Sequence, residues 1–544
     1  LAAEASVSFD NIGGMNETTN KEYRYMNSNA SITSDGTLVT TPAIYGTDSE
    51  TLGHTQPFER LMLRSDFQAK VDYNRTFGKH QVGGALIYDM QSVVKNGRNN
   101  SQKNQSVLVN ATYTYDNRYS LNAVFNRSGS AYLPDGDKYS NYPAVSAAWI
   151  VSNEAFMEKV TPINLFKIRA SYGLSGWDGN LSHELWRQSY GSGGAGYNFG
   201  VNAGGQSGGS EGDLPVIGLV AEKSQKATFG FDLAAFDNRL NATVEGFYEK
   251  RSDILVSGAN STSGIIGITV GQVNEGIYKY KGVDASLSWN DKIGDFHYGI
   301  GASMSYLNTE VVNVNQAYQE YDYLYTKGNR IGQMYGLEAI GFFNSQQEIN
   351  NSPQQTFSDV APGDVKYKDQ NGDNRIDEKD IVKMFGSSVP RFYFGFNLNF
   401  SYKRLELSAD FQGMTGVTVS LLNSPLYSPL VSNGNISNTF LNEEISWTPE
   451  NKTNATMPRL TTQENLNNYR ASSLWYRDGS FLKLRNLLVA YTFPKSQTRF
   501  ADLKVFVQGT NLFSLDNIHF ADPEQLGIAY PSTRSYWAGI KLNF

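Results

Sequence analysis

The sequence predicts an all-β fold, an antiparallel transmembrane β-barrel with long loops at one end. Three observations predict it. Strand-length stretches alternate between aromatic and polar residues, short and long connections take turns, and the composition is poor in charge but rich in Tyr and Phe. The clearest stretch is Arg391–Gln412. Phe392, Phe394, Phe396, Leu398, Phe400 and Tyr402 occupy alternate positions, with Tyr393, Gly395, Asn397, Asn399 and Ser401 between them. After a turn at Lys403–Arg404 the alternation resumes, with Leu405, Leu407, Ala409 and Phe411 against Glu406, Ser408, Asp410 and Gln412. Side chains on a strand point to opposite faces with period two. One face of this hairpin is therefore greasy and the other wet. Each arm is long enough to cross a bilayer at a tilt, which takes roughly 9–11 residues.

Taken in order, the chain opens with a weakly alternating stretch around Ala5–Phe9 and a polar, loop-like segment over Asp10–Glu59. Phe67, Ala69, Val71 and Tyr73 then share one face, and a turn at Phe77–Gly78–Lys79 leads to a returning strand through Val82 and Leu86. Further short turns fall at Asp116–Arg118, Asp237–Arg239 and Asp291–Gly294. Long segments fall at Gly176–Glu222, Asp253–Ile277, Val312–Pro390 and Gly413–Ser480. Strict alternation of short and long connections is the pattern of a bacterial barrel with small inner turns and large outer loops. Asn153–Asn164 is a longer link on the short-turn side and is expected to hold a helical turn. The apolar phase slips near Arg485–Asn486, which predicts a β-bulge there. About 16 strands are expected in all, and the last, ending at Phe544, is expected to close the barrel because lipid cannot satisfy an open edge.

Composition sets the outer bounds. The chain has 544 residues, 18% of them charged, with 33 Tyr, 30 Phe and no Cys. A chain this long exceeds one small core. Without cysteine there is no disulfide frame, thiol nucleophile or thiolate metal site. A net charge of −7 argues against nucleic acid as a partner. No apolar run reaches the roughly 18 residues of a membrane helix. Leu1 is not an initiator and no export signal precedes it, so the chain is expected to be part of a longer protein.

A series of motifs resembles the SusC-like branch of the TonB-dependent outer-membrane transporters. They are SAAWIVSNEAFM (Ser146–Met157), FKIRASYGLSG (Phe166–Gly176), NEGIYKYKGVD (Asn274–Asp284) and PGDVKYKDQNGDNRID (Pro362–Asp377). SWTPEN (Ser446–Asn451), MPRL (Met457–Leu460), DGSFLKLRNLLVAYTFP (Asp478–Pro494), VFVQGTNLF (Val505–Phe513) and the tail Tyr530–Phe544 follow in family order. The resemblance implies a barrel of about 22 strands around an N-terminal plug, coupled to TonB and capped by a SusD-like surface lipoprotein. It implies import of a nutrient, a glycan oligomer or a peptide, through the cell outer membrane, with outer-membrane lipid around the wall and the C-terminus on the periplasmic side. Residues 1–544 then correspond to the C-terminal portion of the barrel. The plug, the TonB box and roughly six strands are absent from the chain on this reading.

Candidate sites come from the loops. Asp369, Asn371, Asp373, Asp377 and Asp380 put side-chain oxygens at positions 1, 3, 5, 9 and 12 of a loop, the spacing with which an EF-hand wraps Ca2+. Arg375 at position 7 offers its backbone carbonyl, and Ile376 is the apolar anchor. Asn374 stands where the turn glycine is usual and Asp380 where a glutamate is, so a structural calcium ion bracing the loop is the expectation beside a solvated acidic turn. Trp177, Trp186, Tyr190 and Tyr197 gather in one loop, and Tyr318, Tyr321, Tyr323 and Tyr325 in another. Their rings either stack on sugars or a peptide, or pack the loops and lid on one another. Of these, Trp177, Trp186, Tyr190, Tyr321 and Tyr323 are the substrate-binding candidates. The Gly191–Gly196 run fits a dinucleotide fingerprint by its letters, and Gly205–Gly209 a nucleophile elbow. Neither sits between a strand and a helix. His183-Glu184 lacks a second histidine four residues on. No paired carboxylates or nucleophile–base set emerges, so no enzyme is expected. An uncoupled pore or scaffold in a larger outer-membrane assembly is the alternative, followed by a soluble all-β surface protein.

Overall fold

The computed structural model describes residues 1–544 except 16–17, 21–22, 33–37, 49–52, 56–57, 96–100, 183, 198–205, 259–264, 266, 269, 423–444, 462–463, 519–520 and 526–531. Sixteen strands form one sheet in which every strand pairs with the next along the chain. They are β1 (Ala2–Met15), β2 (Phe58–Phe77), β3 (His80–Lys95), β4 (Ser101–Tyr115), β5 (Tyr119–Ser130), β6 (Tyr139–Ile150), β7 (Ile163–Trp177) and β8 (Glu222–Ala235). The second half is β9 (Leu240–Ser257), β10 (Gln272–Ile293), β11 (Phe296–Asn313), β12 (Phe392–Tyr402), β13 (Leu405–Thr415), β14 (Phe481–Phe493), β15 (Asp502–Asp516) and β16 (Ser535–Asn543). This is an antiparallel transmembrane sheet of the barrel type, with the strand number that periodicity predicts. No described helix is long and apolar enough to cross a membrane.

Register shows why the sheet suits a bilayer. Val71 lies opposite Leu86, Leu86 opposite Val109, and Val109 opposite Phe125 across β2 to β5. On the other side Ile300 lies opposite Leu398, Leu398 opposite Ala409, and Ala409 opposite Leu487 across β11 to β14. Leu86, Phe125 and Ile300 are exposed. Such rows on one face would be a large apolar patch in water; hydrocarbon is the solvent that matches them. Phe396 stacks on Phe411 with ring centroids 4.3 Å apart on that same face. Buried apolar side chains lie elsewhere, many of them in three clusters of loop residues centred on Leu219, Trp475 and Tyr367.

Tight turns mark one end. Gly78 and Gly294 take φ +58° and +60°, while Asp116, Asn117 and Lys403 adopt +52°, +53° and +53°. Two-residue hairpins need this left-handed backbone because it matches strand twist; Lys403 adopts it without the usual Gly, Asn or Asp. The 151–162 link holds the expected helical turns, at Val151–Asn153 and Ala155–Met157.

Three expectations need correction. The connections at 96–100 and 131–138 lie at the long-loop end yet are shorter than the 151–162 link, so the alternation is not strict. Ladder pairing fixes which end a connection occupies, and only what the connection carries fixes its length. The segment read as a polar loop over Asp10–Glu59 contains the end of β1 and a hairpin, Tyr25–Ile32 with Leu38–Tyr45; its polar sequence carries no apolar alternation to mark the strands. Finally, β16 does not close the barrel within this chain. It pairs with β15 alone and β1 with β2 alone, leaving the sheet open at both edges among the described residues. Closure needs a complementary strand edge, and β1 and β16 do not meet.

Candidate functional site

The face opposite the apolar rows is polar and laced with hydrogen bonds and ion pairs. Asn122 donates to Asn110 at 2.8 Å, and Thr114 and Ser120 share a bond of 2.8 Å across β4 and β5. Arg169 on β7 lies 3.4 Å from Asp232 on β8 and pairs with Glu245 on β9. Lys167 reaches Asp232 at 3.5 Å. Glu406, Asp410 and Gln412 share this face and are engaged by Lys504, Asn486 and Arg485. Charges of both signs are neutralised locally, leaving hydrogen-bonding groups fixed on rigid strands. Such a surface can hold and release polar groups in turn.

The predicted bulge is present and has a job. Register shifts on both sides of Arg485, between Leu484 and Asn486 against β15 and between Asp410 and Phe411 against β13. Asn511 on β15 answers it with φ +52°. The bulge turns Arg485 toward the polar face, where it donates to Gln412 at 2.9 Å, Asn511 at 3.2 Å and Glu524 at 2.6 Å. Two residues earlier, buried Lys483 reaches Asp522 at 2.5 Å and Glu524 at 2.6 Å. A lysine is rarely buried unless paired, and here two carboxylates pin the loop after β15 to the wall. Burial disfavours the charge on both acids, yet the bonds from Lys483 and Arg485 outweigh it and hold them below the ordinary carboxylate range.

The two loops after β11 and β13 are knotted together. Asp364, fully buried, accepts from Arg459 at 2.7 and 3.2 Å, from Asn465 at 3.1 Å, from Asn468 at 2.9 Å and from the Ala361 amide at 2.7 Å. Gln355 and Asn467 extend the network to the Val365 carbonyl, and the Tyr367 hydroxyl donates to the Asn467 carbonyl at 2.7 Å. Burial pushes the Tyr367 phenol well above its ordinary range. Every lone pair that matters is used, which is the condition for a buried polar network to rigidify rather than destabilise.

The acidic loop lies beside that knot, and successive side-chain-to-amide bonds shape it. Asp369 accepts from the amides of Gly372 and Asn374, Asn371 from Asp373, Asp373 from Arg375, and Asp377 from Lys379. Buried Asp380 closes the turn by accepting from the amides of Gln370 and Asp377 at 2.7 and 2.8 Å. Asn374 takes φ +66° and Ile376 is buried with Val365 and Tyr367. Among the described residues, however, no three Asp, Glu, His or Cys side chains converge on one point.

The aromatic candidates separate. Tyr321 and Tyr323 stack at 5.3 Å and lie against the acidic loop, where Tyr323 donates to the Lys379 carbonyl at 2.7 Å and Tyr321 stands 3.5 Å from the Asn371 amide nitrogen. Trp186 packs on the cluster of Leu133, Leu181 and Leu219 and under the Arg187 guanidinium. Trp177 and Tyr190 are exposed, at the end of β7 and the start of a loop strand, Tyr190–Tyr197. That strand pairs with Gln206–Glu211, so the glycine runs form a hairpin with no helix after them. His183 and Gly205 lie outside the described residues.

No protein-family model matches the chain. Curated relatives do. TonB-dependent receptors P26 and P3 of Formosa agariphila are 28% and 26% identical over 461 and 546 residues, covering 79% and 87% of this chain. TonB-dependent receptor SusC of Bacteroides thetaiotaomicron is 22% identical over 467 residues, 79% of this chain. Over most of its length the chain is similar to SusC-like TonB-dependent receptors. It spans about half the length of the curated relatives it matches, 45%, 51% and 43% in that order. A solved structure described as the RagAB peptide transporter has the same fold, with a TM-score of 0.72 over 99% of this chain and 62% of that one at 17% identity.

Two features of the structure escaped sequence reasoning, the Asp364 knot and the Lys483 pairings. Asp364 and Arg459 each sit in a motif that carries the resemblance, Pro362–Asp377 and Met457–Leu460, but nothing in the sequence couples the two. Lys483 is visible only as a charge just before the slip in apolar phase.

Proposed function

We propose that the chain is the wall of an outer-membrane importer that admits a bulky polar nutrient, a glycan oligomer or a peptide, in a TonB-dependent step. The observation that carries this reading is the division of the sheet into an apolar outer face and a neutralised, hydrogen-bonding inner face, crowned at one end by long loops knotted to each other. The relatives' names support the coupling to TonB. The RagAB transporter and SusC support a SusD-like lipoprotein over the loops. With the loops outward, β16 runs down to a C-terminus on the periplasmic side.

The test compares uptake of candidate oligosaccharides and peptides by cells carrying the complete receptor, with and without TonB, and asks which lipoprotein co-purifies. Uptake that vanishes without TonB is expected. Uptake that persists unchanged would make the wall an uncoupled pore.

We also propose that Asp369, Asn371, Asp373, Asp377 and Asp380, with the Arg375 carbonyl, take up a calcium ion that braces the loop. The succession of side-chain-to-amide turns supports it. A bound ion would draw these carboxylates together. Its role would be structural.

A further inference from the structure

We propose that the root of the loop between β11 and β12 forms a binding pocket for a small oxyanion group, such as a carboxylate, sulfate or phosphate, between Arg330 and Arg391. The pocket has a volume of about 660 Å³ and is walled by the end of β11, by loop residues around Arg330 and Met384, and by the start of the loop after β13. Two left-handed glycines allow the walls to close. Gly386 (φ +74°) lies so near Thr418 that an added Cβ would meet its hydroxyl at 1.9 Å, and Gly416 (φ +72°) would place one 2.9 Å from the Arg391 Cβ.

Charge makes this pocket unusual. Arg330, Lys383 and Arg391 all line it, and among the described residues none has a carboxylate at ion-pair distance. The two acids on the wall are engaged elsewhere. Glu310 lies 3.9 Å from Lys279, and Asp478 accepts from the Ser480 amide and hydroxyl at 2.9 and 2.6 Å and from Asn517 at 3.1 Å. Arg330 is half-buried; its Nη2 donates to the Val389 carbonyl at 2.8 Å, while its Nε is buried without a partner. Burial and the Arg391 charge both depress the Arg330 pKa. A buried Nε–H without a partner is costly, and the neighbouring Arg391 charge adds like-charge repulsion. An oxyanion would take the free Nε–H and the Arg391 fork in charge-assisted bonds. Arg330 forms the floor and exposed Arg391 the mouth.

The test is calorimetric titration and thermal unfolding of the complete receptor, purified from membranes in detergent, with sodium sulfate against sodium chloride at matched ionic strength. Saturable sulfate binding and a raised melting temperature are expected. Arg330→Gln and Arg391→Gln should each weaken sulfate about tenfold or more. Arg391→Gln should also raise the melting temperature in chloride, because it removes the repulsion. Acetate and phosphate titrations then tell planar from tetrahedral anions. The proposal is overturned if the wild type shows no saturable sulfate binding, or if both variants bind as it does. Should Arg330→Gln fail to fold, Arg391→Gln at the exposed mouth carries the test. The readout is binding, so it stands or falls independently of TonB-dependent uptake.

Discussion

The Arg459 guanidinium holds the Asp364 carboxylate through Nε at 2.7 Å and Nη2 at 3.2 Å, joining two loops that leave the barrel wall at different strands. Asp364 is wholly buried and two asparagines and a backbone amide complete its shell. The loops after β11 and β13 therefore behave as one body rather than two. A force applied to one loop is therefore transmitted to the other.

Arg459→Gln should leave a buried charge short of its counter-charge. Removing one member of a buried ion pair costs about 3–5 kcal/mol. The loss should be local, because the wall has its own ladder. Hydrogen exchange should accelerate in segments 361–368 and 465–476 while β12 and β13 stay protected. Uniform exchange across loops and wall would show that the knot is not the local clamp inferred.

The clamp on the loop after β15 should fail in acid. Asp522 and Glu524 titrate below their ordinary range in the folded protein, so the stability they lend is fully present above the usual carboxylate pKa of about 4. It is lost as pH falls through their depressed values. Exchange at residues 517–525 should be flat from neutral pH to about 5 and rise steeply below about 4. Lys483→Met should remove that acid transition; an unchanged transition in the variant would assign it to other groups.

The wall was legible in the sequence because a strand writes its environment directly into alternate residues. Phe392 to Tyr402 announced the apolar face, and the slip at Arg485 announced the bulge, since one extra residue inverts the pattern. The loops were not legible in the same way. Asp364, Gln355, Asn467 and Asn468 are polar residues buried by one another, and no local period marks such a knot. Trp186 and Tyr323 illustrate the same gap. Their letters allow either cargo stacking or loop packing, and the contacts seen are with loop core and loop backbone. The final strand's expected closure is not met, because pairing is a property of two edges and only one is written in β16.

Terbium offers a direct reading of the acidic loop. Tyr321 and Tyr323 lie against it, so their excitation should sensitise bound Tb3+. Emission should saturate, be displaced by Ca2+, and weaken at least about tenfold in Asp369→Asn and Asp373→Asn, which each remove one carboxylate from the set. Emission equal in wild type and variants would mean that the acids serve only as turn caps.

The division of faces can be tested at two neighbouring residues. Leu398 shares the apolar face with Ile300 and Ala409, while Asn397 stands opposite Gly301 and Asp410 on the polar face. An arginine on the lipid face near mid-strand costs about 2–4 kcal/mol, and far less where water reaches it. Leu398→Arg should therefore lower the yield of folded, heat-modifiable receptor in membranes, and Asn397→Arg should not, since Asp410 lies beside it as a counter-charge. The two substitutions add the same group one residue apart, so side-chain size and strand propensity nearly cancel in the comparison. What remains is the solvent on each side of the sheet, and equal folding of the two variants would mean that the side facing away from the polar ladder does not meet hydrocarbon.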